Sequence, residues 1–89
     1  MNIKEKMQRI IDMEASAIAS IKITEAFEEA LQLLLESPGK VVTTGIGKAG
    51  YVAQKFAATM SSTGTPAFFV HPAEAGHGDL GMLSKDDCI

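Results

Sequence analysis

The segment Lys40-Val41-Val42-Thr43-Thr44 is short and β-branched, and it runs directly into Gly45-Ile46-Gly47-Lys48-Ala49-Gly50. A buried strand that turns into a helix through one glycine-rich loop has few folds open to it. The turn needs backbone without side chains, and the helix must fall back across the sheet. From Ala49 the apolar positions Val52, Ala53, Phe56, Ala57 and Met60 follow i, i+3, i+4, i+7 spacing, which predicts a helix closing at the polar turn Ser61-Ser62-Thr63-Gly64-Thr65-Pro66. Its alanines permit close approach to a sheet. Ala67-Phe68-Phe69-Val70-His71 reads as a second strand, so residues 40–71 predict a right-handed βαβ crossover and a parallel sheet.

Upstream, Ile3, Met7, Ile10, Ala17, Ile18 and Ile21 recur at helical spacing behind Asn2 and Glu5, a capping-box pair. Thr24 is placed to cap a second helix with an apolar stripe of Phe27, Ala30, Leu31 and Leu34, ended near Glu36 by Ser37-Pro38-Gly39. Downstream, a short helical turn is expected within Ala73 to Leu80. A polar turn at Ser84-Lys85-Asp86-Asp87 then leads into a third strand at Cys88-Ile89. A parallel sheet needs both faces covered, which two strands and the start of a third do not achieve. The expectation is the N-terminal part of one α/β domain, a three-layer doubly wound parallel sheet, spanning residues 1–89. It divides into helices over 1–36, the first βαβ unit over 40–71 and a site loop over 71–83.

Composition narrows the function classes. An apolar fraction of 46% with 21% charged residues predicts a packed core rather than disorder. Eight basic against eleven acidic residues give a net charge of -3 with no basic cluster, which argues against nucleic acid as a partner. No apolar run reaches the roughly 20 residues of a membrane-crossing helix. The lone Cys88 and a start without a signal-peptide core make the cytoplasm the expected compartment.

Gly45-x-Gly47-x-x-Gly50 has the spacing of a dinucleotide fingerprint between a strand and a helix. The acidic residue that would hold a ribose hydroxyl is missing from the end of the second strand, which reads Val70-His71-Pro72. A P-loop fails because Ala49 follows Lys48 and Val42 stands where the earlier glycine belongs. Two readings stay open. The loop is a plain tight turn, or Lys48 beside helix-start N–H groups makes a site for an oxyanion or phosphate.

His71-Pro72-Ala73-Glu74-Ala75-Gly76-His77-Gly78-Asp79 places two histidines and two carboxylates just past the carboxyl end of the second strand, the edge where open parallel sheets bind ligands. Histidine and carboxylate together can move a proton beside a carbonyl. They can also ligate a transition metal, although the spacing of His71, Glu74 and His77 matches no zinc signature. The structural alternative is that Asp79 caps a turn and the histidines bond backbone. The hydroxyls around Gly64 and Thr65 are candidates for holding a sugar or phosphate, with Gly64 as the helix stop in any case.

Thr44-Gly45-Ile46-Gly47-Lys48-Ala49-Gly50, Ser62-Thr63-Gly64-Thr65-Pro66 and the segment from His71 to Met82 together resemble the bacterial arabinose-5-phosphate isomerases, which carry a sugar isomerase (SIS) domain. The similarity in pattern runs from about Ile10 to the last residue, and the histidine segment is its most specific part. The resemblance implies a flavodoxin-like SIS fold and interconversion of D-ribulose 5-phosphate and D-arabinose 5-phosphate through an enediol, supplying the Kdo sugar of lipopolysaccharide. It further implies a catalytic Lys48, with Glu74 and His77 as candidates for proton transfer. By the resemblance Gly64, Thr65 and His77 would contact substrate, with Gly45 and Gly47 of the glycine loop as further candidate contacts, and His71 would stand where the family can hold an inhibitory or incidental zinc. No cofactor is required for turnover. A homodimer or homotetramer is implied, in which N-terminal helices build the interfaces. The family's serine-rich phosphate loop lies past the third strand, so the 89-residue chain alone is expected to be inactive. Two alternatives remain: a non-catalytic SIS regulator that binds a sugar phosphate, and an isomerase of another sugar phosphate.

Overall fold

A computed structural model describes residues 1–89. Two helices, α1 (Ile3–Ala19) and α2 (Glu25–Glu36), precede β1 (Val41–Thr43), α3 (Gly47–Ser62) and β2 (Ala67–Phe69). A short α4 (Pro72–Ala75) and a single 3-10 turn (Asp79–Met82) follow. β1 and β2 pair in parallel, Val41 with Ala67, Val42 with Phe68 and Thr43 with Phe69. The βαβ unit thus forms as its pattern predicts, with strands shorter than expected.

The third strand begins where the sequence places it, on the other edge of β1. Val41 and Cys88 form a parallel bridge, with Val42 N–H donating to Cys88 O at 2.7 Å and Cys88 N–H to Lys40 O at 2.9 Å. The intervening donor, Val41 N–H, faces β2 and reaches Pro66 O at 3.0 Å. β1 is therefore central, and the order of strands reverses at it.

Side-chain hydroxyls fix the layers. Thr43 Oγ1 donates to Ala53 O of α3 at 2.7 Å, and Thr44 Oγ1 donates to Val70 O at 2.6 Å, tying the loop after β1 to the end of β2. The buried residues are Val41, Val42, Gly50, Ala57 and Val70, all where α3 crosses the sheet. The packed core expected from composition is confined to this seam. α1 and α2 bury nothing, and Ile3 and Phe27 remain 76% and 51% exposed. A radius of gyration of 17.5 Å for 89 residues reflects those projecting helices; a compact chain of this length would measure roughly 12 Å.

The helix ends bear out some of the expected caps and correct others. Asn2 Oδ1 accepts from Glu5 N–H at 2.8 Å and Glu5 Oε2 from Asn2 N–H at 3.3 Å, the full capping box. Thr24 holds the N-cap position of α2 without a side-chain hydrogen bond. Ile21 lies past the end of α1, because Ser20 closes the helix by donating its hydroxyl to Ala17 O at 2.7 Å. α3 begins at Gly47 rather than Ala49, so Gly47 and Lys48 belong to its first turn.

Asp87 anchors the third strand. Its side chain is 1% exposed and accepts from Ser84 N–H and Lys40 N–H, each at 2.8 Å, with Lys40 Nζ at 3.5 Å. Chiefly the Ser84 bond, then that from Lys40, lowers its carboxyl from 3.8 to about 2. A depressed folded-state value contributes stability that is fully present above about 3.8 and lost as pH falls toward 2. Urea unfolding followed by circular dichroism should therefore show stability falling across that window. Asp87→Asn should lower stability at pH 7 and remove this part of the acid dependence; an unchanged acid limb would show that the anchor contributes little.

Candidate functional site

In an open parallel sheet, ligands bind beyond the carboxyl ends of the strands where the strand order reverses. Here that point is the carboxyl end of β1, and a cleft of about 120 Å³ sits there, lined by Gly45, Gly47, Gly50, Tyr51, Gln54, Phe69 and His71. The glycine loop forms one wall, the first turns of α3 another, and the end of β2 the third.

The loop's sequence follows from how tightly it packs. A Cβ on Gly50 would lie 2.6 Å from Gly45 O, and one on Gly45 would lie 2.9 Å from Gly50 N, so the two glycines let α3 start against the strand it has just left. Gly47 has φ 63° with open space around it, and glycine meets that backbone requirement without strain. The N-cap residue Ile46 has no side-chain hydrogen bond to offer. The first-turn N–H groups of Gly47, Lys48 and Ala49 therefore have no side-chain cap, and no acidic residue stands among them. With Lys48 in that turn, the end of α3 facing the cleft is electropositive.

The residues named from sequence divide. Gly45, Gly47 and His71 line the cleft. Lys48, Glu74 and His77 are exposed and not among its walls; Lys48 follows the lining Gly47 directly, and Glu74 and His77 stand three and six positions after the lining His71. His77 N–H donates to Glu74 O at 2.9 Å. Asp79 caps nothing: Gly78 is the N-cap of the 3-10 turn and no side chain closes it.

Gly64 and Thr65 are not brought to this cleft. They follow the far end of α3, and 16 residues of helix separate that end from Gly47, a rise of about 24 Å. Their backbone closes α3 as a Schellman motif, with Thr65 N–H on Met60 O at 2.9 Å and Gly64, at φ 102°, on Ser61 O at 3.3 Å. The neighbouring hydroxyls of Ser61, Ser62 and Thr63 all donate to backbone carbonyls.

No three side chains of His, Cys, Asp or Glu gather in a metal-binding cluster. His71 Nδ1 also already accepts from Ala73 N–H at 3.1 Å, which occupies that lone pair.

Tyr51, Gln54 and Phe69 line the cleft without having been singled out from sequence. Tyr51 and Gln54 fall on the polar side of the α3 repeat, and spacing from Gly47 and Gly50 along one helix face would have found them. Phe69 reads as a core strand residue; only its place beside Gly50 reveals its role as a wall.

Glycine loop, uncapped helix start and strand-order reversal define the opening unit of a doubly wound α/β domain with a ligand cleft at its switch point. The chain belongs to the SIS domain family, matching the SIS domain over residues 33–89. It is 54% identical over 84 residues to arabinose 5-phosphate isomerase KdsD of Pseudomonas aeruginosa, covering 92% of this chain and 26% of that protein. It is 47% identical over 80 residues to arabinose 5-phosphate isomerase GutQ of Escherichia coli K12, covering 90% of this chain and 25% of that one. Among solved structures, a putative phosphosugar isomerase involved in capsule formation from Bacteroides fragilis superposes with a TM-score of 0.91 at 44% identity over 97% of this chain and 47% of its own. An E. coli CFT073 protein in complex with arabinose 5-phosphate superposes with a TM-score of 0.81 at 43% identity over 98% of this chain and 49% of its own. The chain thus spans about a quarter of the length of these curated relatives and about half of these solved chains.

The packing of Gly45 against Gly50 gives a direct test. Gly50→Ala forces the start of α3 off the strand and should cost about 1–3 kcal/mol in urea unfolding. Gly47→Ala meets only the left-handed backbone penalty and should cost about 1–2 kcal/mol while leaving the fold intact.

Proposed function

We propose that the chain contributes the substrate-binding edge of an aldose-ketose isomerase that interconverts D-ribulose 5-phosphate and D-arabinose 5-phosphate. The observation that carries this reading is the electropositive, uncapped start of α3 opening onto the cleft at the switch point. Similarity to two arabinose 5-phosphate isomerases and to a structure holding that sugar phosphate supports it. The product's proposed use is in making the Kdo sugar of lipopolysaccharide, in the cytoplasm. No helix is long and apolar enough to cross a membrane.

The chemistry asks for a proton shuttle and a partner for an oxyanion, both of which side chains can supply without a cofactor. A base removes a proton from C1 of the ketose as negative charge builds on O2, which takes up a proton to give the enediol. The enediol then takes a proton at C2 and loses the one on O1, giving the aldehyde and leaving O2 as the C2 hydroxyl. Lys48, in the first turn of α3, is proposed to stabilise the oxyanion, and Glu74 or His77 to carry the proton. Gly45 and Gly47 offer backbone against which the substrate can close. Gly64 and Thr65, at the far end of α3, can contact substrate only in a site to which a second subunit brings them.

A cleft of about 120 Å³ is smaller than the roughly 300–1,000 Å³ of most small-molecule sites, so further walls are required. The 89-residue chain on its own is accordingly proposed to lack turnover. The exposed apolar faces of α1 and α2 support assembly into a homodimer or homotetramer.

Incubating the intact gene product with ribulose 5-phosphate should yield arabinose 5-phosphate, and no conversion would reject the reading. Lys48→Ala should lower kcat about 10²–10³-fold, the usual loss for one oxyanion partner; an unchanged kcat would remove Lys48 from that role. Light scattering should report a dimer or tetramer, and a monomer would contradict the proposed use of α1 and α2.

A further inference from the structure

The chain's three glutamines all lie on helices, and their amides have different fates. In α1 Gln8 donates Nε2–H to Asp12 Oδ1 at 2.9 Å, and in α2 Gln32 donates to Glu36 Oε1 at 2.6 Å. Each spends its amide on a carboxylate one turn further along its own helix. Gln54 of α3 has Ala58 at the corresponding position, so its amide is left without a partner in the chain. It lines the cleft instead.

Gln54 shares one face of α3 with Gly47 and Gly50, seven and four residues before it. Side chains on a helix lean toward its N-terminus, so Gln54 leans back over the turn that begins at Gly50, where no Cβ stands in the way. A Cβ on Gly50 would lie 3.8 Å from Phe69 Cζ, which marks how close the wall made by β2 comes to this face. A carboxamide is uncharged and carries both an N–H donor and a carbonyl acceptor. A sugar hydroxyl can pair with either side of it, whereas a phosphate takes only the donor and is repelled by the carbonyl.

We infer that Gln54 is a specificity-determining residue whose side-chain amide hydrogen-bonds the C3 hydroxyl of the sugar phosphate. This rests on the isomerase reading, in which O2 lies against the first turn of α3. The helix rises about 9 Å from Lys48 to Gln54, and the backward lean of the glutamine shortens that span. C3 carries the first hydroxyl met on the way from O2 toward the phosphate. Its configuration is unchanged by the reaction, so the bond is present in ketose, enediol and aldose alike and acts on binding rather than on turnover. Xylulose 5-phosphate, the C3 epimer of ribulose 5-phosphate, turns that hydroxyl to the other side of the carbon chain and leaves the amide unpaired.

The epimers share their ketone and phosphate, so comparing them isolates the C3 hydroxyl. In the intact gene product, KM for ribulose 5-phosphate and the inhibition constant of xylulose 5-phosphate against that reaction would be measured for wild type and for Gln54→Leu. Gln54 is exposed, so the variant should unfold at the wild-type urea midpoint. KM for ribulose 5-phosphate should rise about tenfold, as for the loss of one hydrogen bond, with little change in kcat or in the inhibition constant. The preference for ribulose 5-phosphate over its epimer should therefore shrink about tenfold. An unchanged preference in Gln54→Leu, with conversion intact, would overturn the role of Gln54 and leave the isomerase reading standing. A parallel rise of both constants would overturn it too, as the signature of a residue that only shapes the cleft. A wild-type protein that does not convert ribulose 5-phosphate would reject the isomerase reading and this contact with it.

Discussion

Consecutive backbone N–H groups of β1 point to opposite edges, Val41 to Pro66 O and Val42 to Cys88 O. Because the chain sends β2 to one side and its last residues to the other, β1 has no free edge along this stretch, and its carboxyl end becomes a crevice between connections that diverge. The loop that leaves β1 must then turn away at once, and the contact between Gly45 and Gly50 is what allows it. The first turn of α3 has no side-chain cap, since Ile46 fills the position where a serine or aspartate would serve. Helix stability is given up at one end, and an electropositive edge is gained there.

Much of this was legible in the sequence because short-range rules govern it. The β-branched run at 40–44, the apolar repeat from Val52 to Met60 and the stop at Gly64 located β1, α3 and the Schellman closure. The Asn2 and Glu5 pair located the start of α1. Errors fell where a local rule had competitors. Thr24 holds its expected place without making the bond, and α3 starts two residues early, its first turn including Lys48 and a left-handed Gly47 at φ 63°.

The site was less legible, because its walls come from segments far apart in the chain. The chemistry of the turn and the family resemblance placed Gly64 and Thr65 among candidate ligand contacts, and the length of α3 sets them at the far end of that helix from the cleft. The hydroxyls of Ser62 and Thr63 beside them, attractive as ligand donors on paper, are taken up by carbonyls of the last turns of α3, and that of Ser61 by Ala67 O of β2. Phe69 gave no chemical signal in one dimension, and it becomes a wall only once α3 lies across β2. His71 was visible as a candidate, but its hydrogen bond to Ala73 changes what it can do.

The hold of Asp87 on Lys40 bridges 47 positions of sequence, and the bond from Ser37 Oγ to Asp86 O bridges 49. A ribosome delivers the chain N-terminus first, and units tend to fold as they emerge. Once Cys88 has left the exit tunnel, β1 can be paired on both edges and the glycine loop set. The order of synthesis thus shields the central strand early, when an open edge would otherwise be available to other nascent chains.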